Sequence, residues 1–303
     1  MILDSVIYAE ANFPLKPQNA ARIVWYKQFH KSPYAFVYLH GTGASPQEGD
    51  PIHESLSYVF GANLFIPRLA EHGLVTPDPL VKITAQDWLQ SALDAVAVGK
   101  VLGDKVILIS CSTGSTLALT LAAHYPELID GLILLSPNID LYDPRSGVLA
   151  KPWGLQMARQ IVGTKYYGWE APIAAKRFWY TQYRLEALTT LKTMINATMN
   201  EKTFSAVKQP VIMLYYYKDE ENQDTKVSVA RMREMYAQLG TPADQKREVA
   251  LADANTHIIG SDIFNKNLQS VWLPLTSFCT EVLQMPMVNP DADYTWFSDT
   301  QTR

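Results

Sequence analysis

The stretch between Lys105 and Tyr125 constrains the fold of this chain more than any other. It begins with a Val/Ile/Leu-rich run, turns through small residues around Ser112, and continues with Leu117, Leu121 and Tyr125 at spacings of four. A short β-branched run is typical of a buried parallel strand, and a spacing of four is typical of one helix face. A strand that enters a helix through so tight a turn strains the middle residue and lifts its side chain above the sheet edge. The sequence therefore predicts that Ser112 is exposed at a strand–turn–helix elbow.

The pattern around Ser112 is weak by itself, because an ordinary strand–turn–helix would look the same and Ser110 stands where a glycine is usual. Two other segments favour a nucleophile. A strand-like run ends at Leu39 in a glycine-containing turn, and a histidine, His257, follows the last strand-like run. A serine hydroxyl is a weak nucleophile that needs a neighbouring histidine as base and a carboxylate that orients the histidine. The chain order Ser, Asp, His is one of the orders known for this triad.

The acid has two candidates in the loop after the predicted strand that starts at Pro210. Counting from that strand, a minimal loop gives Asp219. Asp224 is followed three residues later by the apolar Val227 and then by a possible helix cap, Ser228. We prefer Asp224 and interpret Asp219 as part of a solvated acidic loop, and a comparison of the two substitutions distinguishes them.

The remaining histidines and the cysteine in the elbow are weaker candidates for the reacting groups. The other histidines lie in loops or at helix ends that no strand-end acid precedes, so His257 is the preferred base. Cys111 precedes the serine and should point into the packing between strand and helix. No basic neighbour in the sequence would lower the pKa of its thiol, so it is a poor nucleophile.

As a set, these segments resemble the α/β-hydrolase family over roughly residues 34–270. The turn His-Gly-Thr-Gly-Ala-Ser-Pro at residues 40–46 and the segment Ile-Pro-Arg-Leu-Ala-Glu-His-Gly at residues 66–73 are most similar to the bacterial carboxylesterase and monoacylglycerol-lipase-like branch. The resemblance implies an α/β-hydrolase fold, an orienting role for His40, and an oxyanion hole formed by the amides of Thr42 and Thr113. Threonine at position 42 departs from the aromatic residue common in similar esterases, but the main-chain donor does not need that side chain.

The order of segments predicts a mostly parallel sheet flanked by helices. Strand-like and helix-like runs alternate up to Leu135, beginning with strand-like runs at residues 5–8 and 22–26, and Thr84 and Asp87 are placed to cap the helix before the elbow strand. The alternation stops between residues 138 and 208 and resumes at Pro210. The resemblance implies a helical cap there, so the predicted layout is a core of residues 1–137 and 209–303 with a cap of residues 138–208. Residues 286–303, with two prolines and a polar end, are predicted to be a poorly ordered tail.

Eight aromatic side chains lie between residues 151 and 185, a density well above the 11% of the whole chain. Most of them would form the core of a small helical subdomain, but we expect some to face the cleft over Ser112. A pocket with an apolar lining suits a ligand that has an acyl chain or an aromatic ring.

Composition excludes several other classes of function. A formal net charge of −4 without a basic block argues against nucleic acid as a partner, and no apolar run is long enough for stable membrane insertion. Two cysteines allow no disulfide framework, and no motif for a metal, dinucleotide or nucleotide occurs, so we expect no metal and no cofactor. The N-terminus lacks a signal-peptide pattern, which predicts a cytoplasmic protein if that N-terminus is native; a trimmed leader would look the same.

The sequence thus predicts a carboxylic ester hydrolase with the triad Ser112, Asp224 and His257, acting on a small-molecule ester with a short to medium acyl or aromatic group. Two alternatives stay open. The same scaffold could carry an amidase, thioesterase or C–C hydrolase activity, or the chain could be a binding protein without catalysis. Oligomeric state, natural substrate and acyl-length limit are not indicated by the sequence.

Overall fold

The computed structural model of the protein describes residues 10–295. Seven strands within these residues form one sheet in the order β1-β3-β2-β4-β5-β8-β9, in which β1 runs antiparallel to β3 and the other neighbours are parallel. A separate pair, β6 and β7, is antiparallel. The strands are β1 (Arg22–Val24), β2 (Ser32–Leu39), β3 (Asn63–Ile66), β4 (Gly103–Cys111), β5 (Gly131–Leu135), β6 (Tyr166–Gly168), β7 (Gln182–Arg184), β8 (Val211–Tyr216) and β9 (Lys246–Leu251). The strand predicted at residues 5–8 lies outside the described residues.

Helices cover both faces of the sheet. They are α1 (Ile52–Val59), α2 (Ala85–Leu102), α3 (Thr113–His124), α4 (Gly154–Val162), α5 (Leu185–Thr198), α6 (Glu201–Ala206), α7 (Val229–Gln238) and α8 (Gln269–Glu281). Alternate side chains of β2 enter two different hydrophobic clusters, with Val37 and Leu39 in one and Phe36 and Tyr38 in the other. This period of two shows a strand buried on both faces, as expected for a parallel sheet between two helical layers.

The capping box predicted for the helix before the elbow strand is confirmed. The Thr84 hydroxyl accepts a hydrogen bond from the Asp87 amide at 3.1 Å, and the Asp87 carboxylate accepts one from the Thr84 amide at 3.2 Å. Two amides that the first turn of α2 leaves without partners are thereby satisfied. The cap fixes the start of the helix that leads into β4 and therefore into the elbow.

The segment between β5 and β8 contributes no strand to the main sheet within the described residues. It contains α4, α5, α6, the short β6–β7 ribbon and irregular turns. Phe204 of α6 is buried in the same cluster as the helices beneath the sheet, and its carbonyl accepts from the Gly240 amide at 3.1 Å. The end of this segment therefore packs with the layer that flanks the sheet, whereas α4 and the ribbon lie over the carboxyl ends of the strands near Ser112.

The described part of the predicted tail is attached to α1. The Val288 amide donates to the Val59 carbonyl at 2.8 Å, and the Asn289 side-chain amide donates to the Tyr58 carbonyl at 2.7 Å. The prediction of poor order is therefore wrong for this stretch, and residues 296–303 lie outside the described part. Among the described helices, none combines the length and the apolar character needed to span a bilayer.

Candidate active site

Ser112 occupies the turn between β4 and α3 in a strained conformation, with φ 53° and ψ −119°. An L-residue other than glycine rarely adopts such a positive φ, and it persists only where the surroundings enforce it. The turn also needs glycine at position 114, because a Cβ there would lie 1.9 Å from the Leu39 carbonyl oxygen. Ser110 stands where a glycine is usual. Its side chain is accommodated there, because its hydroxyl is buried and forms a hydrogen bond with the Ser115 hydroxyl at 2.9 Å.

The structure brings Asp224 and His257 together. The Asp224 carboxylate is buried, and its Oδ2 lies 2.6 Å from His257 Nδ1. Its other oxygen accepts from the amides of Lys226 at 2.8 Å and Val227 at 3.3 Å, so the loop itself fixes the carboxylate. Because the Asp224 carboxylate accepts a hydrogen bond from Nδ1–H, the neutral His257 ring has Nε2 free to accept a proton.

Asp219 has a different environment. Its carboxylate is exposed and accepts from the amides of Glu221 at 3.0 Å and Asn222 at 2.8 Å within its own turn. The side-chain amide of Asn222, which donates to Asp219 at 2.8 Å, lowers the pKa of Asp219 most, and the backbone bonds add to this effect. Of the two acids that the sequence offers, Asp224 is the one that contacts His257.

Two opposing effects act on the pKa of His257. Burial disfavours the charged imidazolium and lowers the pKa, whereas the charge and hydrogen bond of Asp224, with a smaller contribution from Glu48, raise it. The attraction outweighs the burial, and the pKa of His257 is raised above its ordinary value. A base of this kind accepts a proton readily during attack and returns it to a leaving group.

Thr42 and Thr113 meet beside the elbow. Their hydroxyl oxygens lie 2.8 Å apart, which joins the turn after β2 to the first residue of α3. The Thr42 amide meets no acceptor within the described part of the chain, and the amide of the first residue of a helix has no partner inside that helix. Both donors, together with the positive end of the α3 dipole, can stabilise an anionic oxygen next to Ser112.

The turn at residues 40–43, called the oxyanion turn below after the role that the sequence predicts for Thr42, is held by two buried histidines. The Leu69 amide donates to His40 Nε2 at 3.1 Å, so His40 Nδ1 carries the proton and donates to the Gly41 carbonyl at 3.0 Å. The Gly43 amide donates to His72 Nε2 at 3.0 Å. Burial lowers the pKa of both histidines, that of His72 to about 4, and keeps them neutral.

The segment around residue 180 also contacts the oxyanion turn. The Tyr180 amide donates to the Gly43 carbonyl at 2.7 Å, and the Tyr180 hydroxyl bonds the backbone of Leu74. The oxyanion turn is therefore held both by the core and by the segment between β5 and β8.

A cavity of about 1070 Å³ opens above the serine. It is lined by Ser112 and His257 and by side chains from the segment between β5 and β8. Four of the eight aromatic residues between 151 and 185 reach it, together with leucines of α5: Tyr167, Trp169, Trp179, Tyr183, Leu185, Leu188 and Leu191. Other aromatic residues there do not line it, such as Trp153, which is 71% exposed.

The sequence profile of the alpha/beta hydrolase family matches residues 36–259 of the chain. The chain belongs to this family.

Relatives of this alpha/beta hydrolase include enzymes that act on lipids. A thermostable monoacylglycerol lipase from Bacillus sp. (strain H-257) is 27% identical over 109 residues, which are 36% of this chain and 42% of that lipase. The chain is also similar to a solved structure from LipS and LipT, two metagenome-derived lipolytic enzymes, with a TM-score of 0.71, 18% identity, and coverage of 89% and 99% of the two chains. The monoacylglycerol lipase of Paleococcus ferrophilus gives a TM-score of 0.58 at 15% identity, with coverage of 76% and 87%. At these identities the solved structures show a shared fold.

Sequence reasoning on this hydrolase missed two residues that hold the site. The sequence context of His72 indicates only a loop histidine, although it belongs to the residues 66–73 that carry the resemblance. Glu48 was not singled out, yet its buried Oε2 accepts from the Gly41 amide at 2.8 Å and from the Tyr38 hydroxyl at 3.1 Å. Burial raises the pKa of Glu48 to about 7 despite these bonds. No local pattern marks Glu48, and the motif that contains His72 does not reveal its hydrogen bond to Gly43, because that bond joins two separate segments.

One further group of this hydrolase has the residue types of a metal site. Asp50, His53 and Glu54 lie close together, but Arg22 donates to the Asp50 carboxylate at 3.2 Å and to that of Glu54 at 2.8 Å. A guanidinium group already supplies the positive charge that these carboxylates need. Among the described residues, this group is therefore best explained as an ion pair of the fold.

Proposed function

We propose that the protein is a serine hydrolase that cleaves carboxylic esters through an acyl-enzyme. The observation that carries the proposal is the 2.6 Å hydrogen bond from His257 to the buried Asp224, in a loop that lines the same cavity as the strained Ser112. Membership of the alpha/beta hydrolase family and the lipolytic relatives support hydrolysis of esters in general.

In the proposed reaction, the Ser112 hydroxyl attacks the ester carbonyl carbon while His257 Nε2 accepts its proton. The carbonyl oxygen becomes an anion that the amides of Thr42 and Thr113 stabilise by hydrogen bonds. The intermediate collapses with breakage of the C–O bond, and the imidazolium returns the proton to the departing alcohol. Water then attacks the acyl-enzyme with His257 as base again, and the acid is released.

We propose substrates with an uncharged acyl group of short to medium length or with an aromatic ring. The lining of tyrosine, tryptophan and leucine side chains supports this, because an apolar wall favours groups that leave water easily. An amidase, thioesterase or C–C hydrolase would use the same residues, and the choice between these bonds depends on the substrate.

The test combines labelling and turnover. We expect a fluorophosphonate to label the wild-type protein at Ser112, and a panel of p-nitrophenyl esters from acetate to octanoate to be cleaved. Ser112→Ala should lose labelling and on the order of 10⁶ in kcat, because the triad acts as a unit. Ser205→Ala, an exposed serine on α6, is the matched control and should keep both. Absence of labelling in the folded wild type would point to a binding protein, and turnover above a few per cent in Ser112→Ala would refute the assignment of the nucleophile.

A further inference from the structure

Glu48 is a carboxyl group that the proposed reaction does not use, although it lies against the reacting residues. It belongs to the short turn of helix at Pro46–Gly49 that follows the oxyanion turn, and only 2% of its surface is exposed. Its side chain lines the same cavity as Ser112 and His257. A buried carboxyl group is destabilising unless it is well bonded, so its partners indicate what it does.

The partners of Glu48 connect it to the oxyanion turn. Gly41 has two flanking peptide planes, and its amide is held by Glu48 Oε2 at 2.8 Å while its carbonyl is held by His40 at 3.0 Å. The carbonyl of Gly41 and the amide of Thr42 belong to one planar peptide unit. Because glycine rotates freely at both bonds, fixing both planes is what fixes the direction of the Thr42 donor.

Glu48 and Ser112 contact Gly41 from two sides. A Cβ built on Gly41 would lie 3.1 Å from Glu48 Oε1 and also 3.1 Å from the Ser112 Cβ. The carboxyl group, the glycine and the nucleophile are thus packed against one another. A change at Glu48 is transmitted directly to the turn.

The groups that face the Glu48 carboxyl come from several elements. They are Tyr38 of β2 and Cys111 at the end of β4, both kept neutral because burial raises their pKa values, and His257 from the loop after β9. Behind Tyr38 lie Asp50 and His53, and burial lowers the pKa of His53 to about 3. Asp224 faces Cys111 and His257 from the loop after β8. Of these groups, His257 is the one whose charged form an ionised Glu48 stabilises.

We propose that Glu48 is a positioning residue of this site: its carboxyl group holds the Gly41 amide, and through it the oxyanion turn, and when ionised it supplies a second negative charge that faces His257. The first role acts on the transition state, because the oxyanion forms only there. The second acts on the acid–base step, because a nearby negative charge favours the imidazolium form of His257. The inference rests on the proposed function.

The experiment compares Glu48→Gln, Glu48→Ala and Glu54→Gln with the wild type, by kcat and KM for p-nitrophenyl butyrate from pH 5 to 9. Glutamine retains an acceptor for the Gly41 amide but has no charge. We expect Glu48→Gln to keep kcat within about threefold on the alkaline plateau and to move the acid limb of kcat/KM to lower pH, because the pKa of His257 falls. Glu48→Ala should show the same movement and lose about 10-fold or more in kcat with little change in KM, less than the roughly 10²-fold or greater loss of a whole oxyanion donor.

Glu54 of α1 is the matched control, since it is a largely buried carboxylate bonded to Arg22 rather than to the oxyanion turn. Glu54→Gln should leave the plateau and the acid limb unchanged. An unmoved acid limb in Glu48→Gln, or a wild-type plateau in Glu48→Ala, would overturn the proposal. If circular dichroism shows that Glu48→Ala does not fold, the profile of Glu48→Gln decides alone. Failure of the proposed function would be seen separately, as a folded wild type that a fluorophosphonate does not label.

Discussion

At the scale of single residues, Asp224 and Asp219 carry chemically identical carboxylates in different surroundings. Asp224 is buried against His257, whereas Asp219 is exposed in its own turn. We expect Asp224→Asn to lower kcat by roughly 10⁴, because an asparagine leaves His257 in the wrong tautomer. Asp219→Asn is the matched control and should change kcat little. The measurement is kcat at a pH where His257 is neutral, and a severe loss confined to Asp219→Asn would reverse the assignment.

Gly114 offers a test of the elbow that is independent of catalysis. A Cβ at this position would lie 1.9 Å from the Leu39 carbonyl oxygen, and that oxygen belongs to rigid backbone. We expect Gly114→Ala to lower the free energy of unfolding by about 3 kcal/mol or more, at the upper end of overpacking effects.

Gly147 is the control for that substitution, because a Cβ there would meet no atom within 4 Å. Gly147→Ala should change the free energy of unfolding by less than about 1 kcal/mol. Urea unfolding measures both variants. Equal stability of the two would mean that the backbone at the elbow shifts easily, contrary to the strain inferred at Ser112.

Sequence reasoning found the residues that a local sequence pattern marks and missed those whose role depends on tertiary contacts. Ser112 is marked by a local pattern, and Asp224 by the apolar residue and cap that follow it. Glu48 and His72 act through hydrogen bonds to Gly41 and Gly43 that exist only once β2 and the segment after β3 are packed together. Such roles depend on tertiary neighbours, and the residue type in the chain does not reveal them.

At the scale of elements, α5 forms one wall of the cavity. Leu188 is among the side chains that line it. Each buried methylene contributes about 0.8 kcal/mol, so we expect kcat/KM of the wild type to rise about fourfold per CH₂ until the cavity is full. Leu188→Trp should move the preferred acyl chain to a shorter length, because the indole occupies the space of the distal carbons.

The exposed Leu273 of α8, which does not line the cavity, provides the control for this wall. Leu273→Trp should retain the wild-type acyl-length profile in the same p-nitrophenyl ester panel. A profile that is flat from acetate to octanoate, or that Leu188→Trp leaves unmoved, would contradict the interpretation of the cavity as an acyl site.

Elements were predictable where a periodic pattern or a cap lies within the element itself. The strands of the sheet follow apolar runs, and α2 begins at the capping box of Thr84 and Asp87 as predicted. The structure of the tail was not predictable in this way. Its prolines suggest disorder, whereas the described part is held by main-chain hydrogen bonds to Val59. A local sequence pattern contains no information about an acceptor more than two hundred residues away.

At the scale of the whole molecule, buried histidines link stability to acid. Burial lowers the pKa of His72 to about 4, below the roughly 6.5 of an unfolded chain. A neutral folded histidine contributes stability that is fully present above pH 6.5 and is lost as pH falls towards 4. This shift corresponds to on the order of 3 kcal/mol for His72, and His40 and His53 act in the same direction.

The measurement is urea unfolding at pH 7 and pH 4.5 for the wild type and His72→Gln. Glutamine can accept from the Gly43 amide but does not titrate, so the variant should lose less stability between the two pH values than the wild type. The raised pKa values of Glu48 and His257 have the opposite effect on stability. Both proteins contain these two residues, so their contributions cancel when the wild type is compared with His72→Gln. Parallel losses in the two proteins would show that His72 is not the group responsible.

Under the proposed function, the hydrogen bond from the Tyr180 amide to the Gly43 carbonyl links access to the cavity with the geometry of the oxyanion turn. Any route into the cavity that requires residues near Tyr180 to swing outward must first break this 2.7 Å bond and release Gly43. Thr42 directly precedes Gly43, so in the proposed reaction the same movement would also misdirect the Thr42 amide. In the proposed reaction, an ester that entered by such a route would meet a site unable to stabilise its oxyanion until the Tyr180–Gly43 bond had formed again.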